Sequence, residues 1–308
     1  MEFHHVSVMA EEVLKILQVK PNGIYLDCTL GGGGHSLRIG KLLSQEGFLI
    51  GIDRDDDALN AAKKILSNLN CRVELVHGNF SELEEILESL GVEKIDGAVF
   101  DLGVSSYQID TAERGFSYIQ NSKLDMRMDR NQKFSAFDVV NNYGEEKLAK
   151  IFYDYGDERF SKKVARAIVE ERKNFPIETT GKLVEIIEKN IPHTKNGGHP
   201  AKRIFQAIRI EVNDELGILE SSITSAVKKL KVGGKIAVIT FHSLEDRLIK
   251  NTFKNLAQGC ICPKNFPVCV CGHKPEIKIL GKALTASQEE LNKNSRSKSA
   301  KLRAAEKI

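Results

Sequence analysis

Residues 24–36, IYLDCTLGGGGHS, decide the fold of this chain. The stretch opens with a short apolar run that ends on Asp27, continues through four glycines, and then enters a segment with the apolar spacing of a helix. A strand, a glycine turn and a helix are the building unit of parallel α/β sheets, whose ligand sites lie beyond the carboxyl ends of the strands. Glycine permits the sharp turn and lets a ligand approach the main chain. A tight turn without a ligand is the alternative that this stretch alone leaves open.

The glycine cluster departs from the two common nucleotide-binding motifs. Ser36 stands where the fingerprint G-x-G-x-x-G has its third glycine, and the Gly-Lys-Ser/Thr ending of a P-loop is missing. Asp53 ends the next apolar run, roughly 20 residues after the glycine turn, where a carboxylate suits a ribose diol. Because Asp27 and Asp53 would both repel a pyrophosphate, we predict an adenosine ligand without phosphates, and S-adenosylmethionine is the obvious candidate. Asp53 could instead be a helix cap or a loop acid, since Asp55, Asp56 and Asp57 crowd the same turn.

Two further predicted strands end beside candidate site residues. The strand 73–76 leads to Phe80, which can pack on an adenine ring or belong to the core. The strand 95–100 leads to Asp101, which we expect at the middle of the sheet, where the strand order reverses. A carboxylate there can face both the cofactor and an incoming amine. Asp101 is therefore the candidate catalytic residue, as the acceptor of a proton from that amine.

The chain lacks strand patterns for roughly a hundred residues after position 108 and instead has short helical patterns separated by glycine and proline. We predict an α/β, doubly wound sheet domain formed by residues 1–109 and 207–308. An all-helical insertion, residues 110–206, interrupts it and serves substrate recognition or a purely structural role. The predicted insertion helices are residues 135–142, 145–155, 159–171 and 180–190.

The chain after the insertion returns to the sheet. Apolar residues recur every three or four positions over residues 205–230, which predicts one long helix. Arg203 and Arg209 near its start could contact phosphates or lie on a solvated face. The fifth strand, 235–241, is followed by His242, a candidate substrate contact, and by Ser243, which we expect to form a capping box with Asp246. Residues 298–308 are expected to supply a last strand.

Composition limits the classes of protein to consider. Of 308 residues, 41% are hydrophobic and 28% are charged, which is typical of a globular protein. No apolar run reaches the roughly 18 residues of a membrane span, and the start of the chain lacks the apolar core of a signal peptide, so we predict a cytoplasmic protein without a membrane partner. Residues 260–308 contain ten Lys/Arg against four Asp/Glu, which suits a nucleic-acid substrate or a solvated tail.

Four of the six cysteines lie within twelve residues, at Cys260, Cys262, Cys269 and Cys271. Disulfides are rare in the cytoplasm, and two C-x-C pairs could bind zinc, although this spacing is tighter than the usual C-x₂₋₄-C. Whether these cysteines bind a metal is left open at this stage. No metal ion is assigned to the reaction.

Seven stretches spread over nearly the whole chain match one family of enzymes. They are GGGGHS at Gly31, DLGVSS at Asp101, RGFSY at Arg114, LDMRMD at Leu124, HPAKRIFQAIRIEVNDEL at His199, FHSLEDR at Phe241 and KSAKLR at Lys298. Together they resemble the bacterial methyltransferases that modify N4 of a decoding-centre cytosine in 16S rRNA. The resemblance implies a class I (Rossmann-like) S-adenosylmethionine-dependent methyltransferase fold with an inserted helical domain. It also implies 16S rRNA within the small ribosomal subunit as the partner.

The resemblance also implies which side chains meet the cofactor. The implied cofactor-binding residues are Gly33, Gly34, His35, Asp53, Phe80, Asp101 and Gln108. His35 and Gln108 are indicated by the resemblance alone. The tail differs slightly from the family, which more often has proline at the position of Ser295 and arginine at that of Lys298.

Three other functions stay open, and the oligomeric state is not indicated. Methylation of DNA cytosine and methylation of a protein amine would use the same cofactor. A ribosome-assembly factor would bind the cofactor without chemistry. The intact glycine turn together with Asp53 and Asp101 argues against this last function, because a scaffold needs none of the three.

Overall fold

The strands of the sheet alternate with helices along the first hundred residues of the chain. The computed structural model describes residues 7–192, 198–263, 268 and 270–308. The strands are β1 Ile24–Asp27, β2 Phe48–Asp53, β3 Arg72–His77, β4 Ile95–Asp101, β5 Leu230–Thr240, β6 Ile277–Ile279, β7 Leu284–Thr285 and β8 Lys301–Lys307. The helices are α1 Ala10–Leu17, α2 Gly34–Gly40, α3 Asp56–Leu66, α4 Leu83–Ser89, α5 Ser106–Asp110, α6 Ala136–Asn142, α7 Glu145–Asp154, α8 Ser161–Glu171, α9 Thr180–Asn190, α10 Ala201–Asn213, α11 Leu219–Lys229, α12 Ser243–Leu256 and α13 Gln288–Lys293.

One sheet contains all of these strands. Its order is β3-β2-β1-β4-β5-β8-β6, with β7 paired to β8. Strands β1 to β5 are parallel, and β8 runs antiparallel to β5, so the predicted last strand is confirmed. The order reverses between β1 and β4, which places the carboxyl ends of these two strands at the switch point of the sheet. The predicted Rossmann-like α/β fold is confirmed.

The central strands are buried because helices cover both faces of a parallel sheet. Tyr25 in β1 is only 1% exposed, and its hydroxyl accepts a hydrogen bond from the Lys20 amide at 2.8 Å. Its neighbour across the sheet is Gly97 in β4. A Cβ atom at position 97 would lie 2.8 Å from the Tyr25 ring, so the strand needs glycine there. Sequence pattern and packing therefore agree at the centre of the sheet.

The chain divides into two compact units. The first consists of the described residues of Met1–Gly103 and Leu216–Ile308 and contains the sheet, and the second is Val104–Glu215. The predicted insertion, 110–206, lies inside the second unit, which starts earlier and ends later than the prediction. Within that unit, α6 to α9 agree with the predicted helices to within two residues at each end. These helices pack around their own apolar core, which includes Val140, Phe152 and Ile187.

The prediction of one long helix over residues 205–230 is wrong. The helix α10 ends at Asn213, Asp214 adopts a left-handed conformation with φ 48°, and α11 begins only at Leu219. Aspartate tolerates this conformation better than most residues. Apolar periodicity continues across the break because each helix buries one face, α10 in the second unit and α11 in the first. The pattern therefore could not reveal the break.

The second unit contains the polar segment 110–129, whose apolar residues have no helical or strand period. Side-chain hydrogen bonds order this segment instead. Arg114 is buried and donates to the carbonyl oxygens of Arg127 and Met128 at 2.9 and 3.0 Å. The Asn213 side chain accepts from the Met128 amide and donates to the Met126 carbonyl, both at 2.8 Å. These contacts fasten the segment to the end of α10.

A second contact fixes the same end of α10. Arg209 makes two parallel hydrogen bonds to the Glu215 carboxylate, at 2.8 and 2.9 Å, and the two side chains are only 16% and 7% exposed. The sequence-based suggestion that Arg209 contacts phosphates is therefore wrong. Arg203 is about half exposed and donates to the Asp157 carbonyl oxygen at 3.1 Å.

We expect Glu215→Gln to destabilise the second unit by about 3 kcal/mol, because it leaves the Arg209 guanidinium buried without its countercharge. Urea denaturation of the full chain, followed by circular dichroism, measures this change. The control is Glu170→Gln, which removes an exposed ion pair with Lys173 and should cost less than about 1 kcal/mol. Equal losses in the two variants would contradict a structural role for the Arg209 pair.

No helix within the described part of the chain is long and apolar enough to span a membrane.

Candidate active site

The glycine turn between β1 and α2 is the first part of the candidate site. Gly33 precedes α2 with φ 79°, a left-handed conformation that favours glycine. A Cβ atom at position 33 would lie 3.2 Å from the Cβ of Ala62. At Gly34 it would lie 2.0 Å from Ser7 Oγ. A side chain at either position would therefore require its neighbours to shift, and at Gly33 it would also strain the left-handed backbone.

Asp53 ends β2 and is joined directly to this turn. Its Oδ2 accepts a hydrogen bond from the Gly31 amide at 2.7 Å, and its Oδ1 accepts one from the Asp55 amide at 2.9 Å. The residue that caps α3 is Asp55, whose side chain accepts from the Asp57 amide. The alternative role of Asp53 as the helix cap is therefore wrong. Burial raises the pKa of Asp53 to about 6, although the two amide hydrogen bonds act against this rise.

Asp101 and His35 form the second part of the site. The Nε2 atom of His35 lies 3.5 Å from Oδ2 of Asp101, an ion-pair distance that is too long for a good hydrogen bond. Burial lowers the pKa of His35, but the carboxylates of Asp101 and Asp27 more than offset this effect and raise it above its ordinary value. The imidazole of His35 thus stands beside one oxygen of Asp101, whose negative charge raises the pKa of the histidine.

Two hydrogen bonds that were not predicted from the sequence involve Asp101 and Asp27. Thr29 follows β1, and its hydroxyl accepts a hydrogen bond from the Asp101 amide at 2.6 Å. Asp27 is buried and accepts from the Ser36 hydroxyl at 2.7 Å, and burial raises its pKa. From the sequence, only a repulsive effect on phosphates was predicted for Asp27. Threonine and serine close to strand ends are common, so the sequence held no specific signal for these contacts.

Phe80 lies three positions after the end of β3, at the start of a 3₁₀ turn in which the Asn79 side chain accepts a hydrogen bond from the Ser81 amide. Its ring meets the ring of Phe100 edge to face, with 5.7 Å between the centroids, and packs against the core of the first unit. The residue is half-buried, so part of the ring faces outward. A role beside an adenine ring stays a prediction.

Gln108 belongs to the second unit, whereas the other candidate cofactor residues belong to the first. It lies in α5 and is 5% exposed. Its side chain accepts from the Ser105 amide at 3.0 Å, and its own amide donates to the Ser105 hydroxyl at 3.2 Å, which forms a capping box. The structure thus gives Gln108 a capping function, and its contact with a cofactor stays a prediction.

The predicted capping box of Ser243 with Asp246 is wrong by one residue. The cap of α12 is His242, whose side chain accepts from the Glu245 amide, while Glu245 accepts from the amides of Phe241 and His242. The Nε2 atom of His242 is 3.0 Å from the Glu245 carboxylate. Asp246 instead pairs with Arg303 and Lys301 of β8, at 2.7 and 3.0 Å. This pairing joins α12 to the last strand.

Two buried atoms at the site have no hydrogen-bond partner in the described part of the chain. Among the residues that the structure describes, neither Nε2 of His35 nor Oδ1 of Asp101 has a hydrogen-bond partner. An unsatisfied buried polar group costs about 1–3 kcal/mol, so such atoms are rare unless a ligand or water meets them. An imidazole nitrogen and a carboxylate oxygen side by side suit a ligand with both a carboxylate and an amino group, as the methionine part of S-adenosylmethionine has. With the glycine turn and Asp53, these residues fit that cofactor.

We expect Gly33→Ala to weaken cofactor binding about tenfold, because the strained turn must shift and the Gly31 amide moves with it. The left-handed alanine alone costs about 1 kcal/mol of stability. The matched control is Gly91→Ala, since Gly91 has φ 70° but no atom within 4 Å of its added Cβ. Isothermal titration calorimetry should show unchanged affinity for that control. Equal affinity of both variants would contradict the role of Gly33.

Comparison with known proteins identifies the family. The model of the MraW methylase family matches residues 2–308. A relative from Clostridioides difficile (strain 630), called ribosomal RNA small subunit methyltransferase H, is 55% identical over 311 residues that cover 100% of both chains. A relative of the same name from Clostridium botulinum (strain Loch Maree / Type A3) is 56% identical over 310 residues, again 100% of both chains.

A solved structure described as a putative rRNA-methylase from Clostridium thermocellum aligns with 99% of this chain and 100% of its own, at a TM-score of 0.47 and 13% identity. The assignment rests on the family model and the full-length sequence relatives rather than on this likeness. The chain belongs to the MraW methylase family.

Proposed function

We propose that this protein transfers the methyl group of S-adenosylmethionine to N4 of a cytidine in the 16S rRNA of the small ribosomal subunit. Membership of a methylase family establishes methyl transfer as the class of reaction. The relatives that match the full chain are called small-subunit rRNA methyltransferases. The observation that carries the proposal at the site is the Asp101 carboxylate, which has one oxygen 3.5 Å from Nε2 of His35 and the other without a hydrogen-bond partner among the described residues.

The residues of the glycine turn and of the strand ends would hold the cofactor. Asp53 has the charge and position to accept hydrogen bonds from the two ribose hydroxyls. Gly33 and Gly34 allow the main chain to approach the ligand, and the Nε2 atom of His35 would donate a hydrogen bond to its carboxylate. Phe80 offers part of a ring for the adenine. Gln108 is proposed as a further contact on the resemblance alone.

The bound cofactor supplies a methyl group activated by a sulfonium. The exocyclic amine of cytosine is a poor nucleophile, because its lone pair is delocalised into the ring. A carboxylate that accepts a hydrogen bond from this amine favours a localised lone pair and can take the proton that must leave. Oδ1 of Asp101 is the atom that we assign to this task. Most of the remaining acceleration would come from alignment of the amine with the methyl group.

The proposed substrate is an unpaired stretch of RNA rather than a duplex. A cytosine must leave its stack before N4 can enter a site at the edge of a sheet, which favours a loop or a single strand. The helical insertion has eighteen Lys/Arg against fifteen Asp/Glu over residues 110–203, and we propose that it recognises the RNA. Ribosomal subunits are cytoplasmic, so we propose that the protein acts there.

The test measures transfer of labelled methyl from S-adenosylmethionine to purified small ribosomal subunits, to naked 16S rRNA and to duplex DNA. Nucleoside analysis then identifies the product. We expect N4-methylated cytidine from subunits that lack the mark, and none from DNA. Subunits that react while naked RNA does not would show that the folded particle is the substrate.

Two outcomes would contradict the proposal. Methyl transfer only to DNA or to ribosomal protein would replace RNA as the substrate class. Binding of the cofactor and of subunits without any methyl transfer would instead support an assembly factor. Subunits that already carry the modification serve as the negative control, since their target amine is blocked.

A further inference from the structure

The loop between α12 and β6 contains a cluster of sulfur atoms that the methyl-transfer reaction does not use. The Sγ atoms of Cys260, Cys262 and Cys271 all lie within 4.8 Å of one another. Cys269, the fourth cysteine of the set predicted from sequence, lies outside the described residues. We propose that Cys260, Cys262 and Cys271 bind one zinc ion as thiolates and that this ion holds the loop together.

The spacing of the sulfur atoms fits tetrahedral zinc. Two thiolates bound at about 2.3 Å from one zinc ion, at the tetrahedral angle, are about 3.8 Å apart. The Sγ atoms of Cys260 and Cys271 are 3.8 Å apart. A disulfide would bring its sulfur atoms to about 2.05 Å, so this pair is not a disulfide bridge. The distance between this pair is the one expected for two ligands on one metal ion, and it also allows an S–H···S contact between two thiols.

Backbone amides around the cluster point at the sulfur atoms. The Cys262 amide donates to Cys260 Sγ, and the Val270 amide donates to Cys262 Sγ, both at 3.4 Å. Cys271 Sγ accepts from the amides of Ile261 and His273, at 3.4 and 3.5 Å. A neutral thiol is a weak acceptor. Four amides directed at three sulfur atoms would orient these side chains as metal ligands, as hydrogen bonds to the ligands of metal sites do.

Three apolar side chains of this loop lie exposed. Ile261, Val268 and Val270 are 55%, 69% and 74% exposed. The base of the loop is closed by a hydrogen bond from the Glu276 amide to the Leu256 carbonyl oxygen at 2.8 Å. These three side chains therefore contribute little apolar burial, and a metal ion bound by Cys260, Cys262 and Cys271 would cross-link the loop.

The first measurement is the zinc content of the purified full chain, by inductively coupled plasma mass spectrometry. We expect about one zinc ion per chain in the wild type and less than a tenth of that in Cys260→Ser and Cys271→Ser. The matched control is Cys71→Ser, because Cys71 is buried elsewhere in the same unit and should keep its full zinc content. Loss of zinc in all three variants to the same degree would overturn the assignment.

X-ray absorption on the wild type tests the ligands without relying on any variant. Three or four sulfur atoms per zinc at about 2.3 Å support the site. A shell of nitrogen and oxygen only, or wild-type protein that contains no zinc after growth in zinc-supplemented medium, overturns it. Hydrogen exchange gives a further readout, since chelation of zinc should speed exchange in peptides that cover residues 260–273. None of these outcomes depends on whether RNA is the substrate.

Discussion

Asp101→Asn should lower kcat for methyl transfer by about 10²–10⁴-fold, the range that general base catalysis contributes. The substitution keeps the size of the side chain and removes the charge that accepts a proton. The Asp101 amide would still donate to Thr29, so the end of β4 keeps its position. We expect the dissociation constant for S-adenosylmethionine to change by less than about tenfold. The measurement is single-turnover transfer to the RNA substrate at saturating cofactor.

The control for this substitution is Glu85→Gln, which neutralises an exposed carboxylate on α4 in the same unit and should leave kcat unchanged. Two results would contradict the role of Asp101. Full turnover in Asp101→Ala would exclude it as the proton acceptor. A large loss of cofactor affinity with an unchanged kcat would show that Asp101 binds the amino group of the cofactor and that the proton leaves through water.

The sheet and its candidate residues could be predicted because local patterns determine them. The glycine run after β1 and the aspartates at the ends of β2 and β4 follow apolar strands directly, and parallel strands bring their carboxyl ends to one edge. The insertion helices could be predicted for a similar reason, since glycine and proline mark their ends. These features depend on neighbours in the chain rather than on the tertiary fold.

Other features could not be predicted because they depend on contacts between distant positions. Asn213 ends α10 by binding Met126 and Met128, which lie more than eighty positions earlier in the chain. The cap of α12 falls on His242 rather than Ser243, and Asp246 pairs instead with Arg303 of β8. Sequence periodicity contains no record of either partner. The resemblance to a family was equally needed for His35, whose raised pKa arises from two carboxylates on separate strands.

The second large effect that we expect concerns Asp53 and pH. Its pKa of about 6 lies above the ordinary value of 3.8 because the carboxylate is buried. Binding of ribose hydroxyls favours the ionised form, so protonation of the free protein competes with the cofactor. The affinity for S-adenosylmethionine should be constant from pH 7 to 8 and about tenfold weaker at pH 5. Isothermal titration calorimetry across this range measures the change.

Asp53→Asn should abolish this pH dependence and weaken binding at pH 8 by about 10–150-fold, the value of a charge-assisted hydrogen bond of 1.5–3 kcal/mol. The control is Asp56→Asn, which changes an exposed neighbour and should keep the wild-type profile. A wild-type affinity that stays constant down to pH 5 would contradict the assignment of Asp53 to the ribose.

Ionisation of Asp53 strengthens cofactor binding but lowers the free energy of unfolding of the protein without cofactor. This opposite effect gives an independent check. A pKa raised in the folded state means that the folded protein binds the proton more tightly than the unfolded chain does. The protein without cofactor therefore gains stability as pH falls through 6 and loses it as pH rises, by about 2–3 kcal/mol from Asp53. Above pH 6, binding of the cofactor gives the ionised Asp53 carboxylate the hydrogen bonds of the ribose hydroxyls. The stabilisation by saturating cofactor should thus be larger at pH 8 than at pH 5 in the wild type and equal at the two pH values in Asp53→Asn.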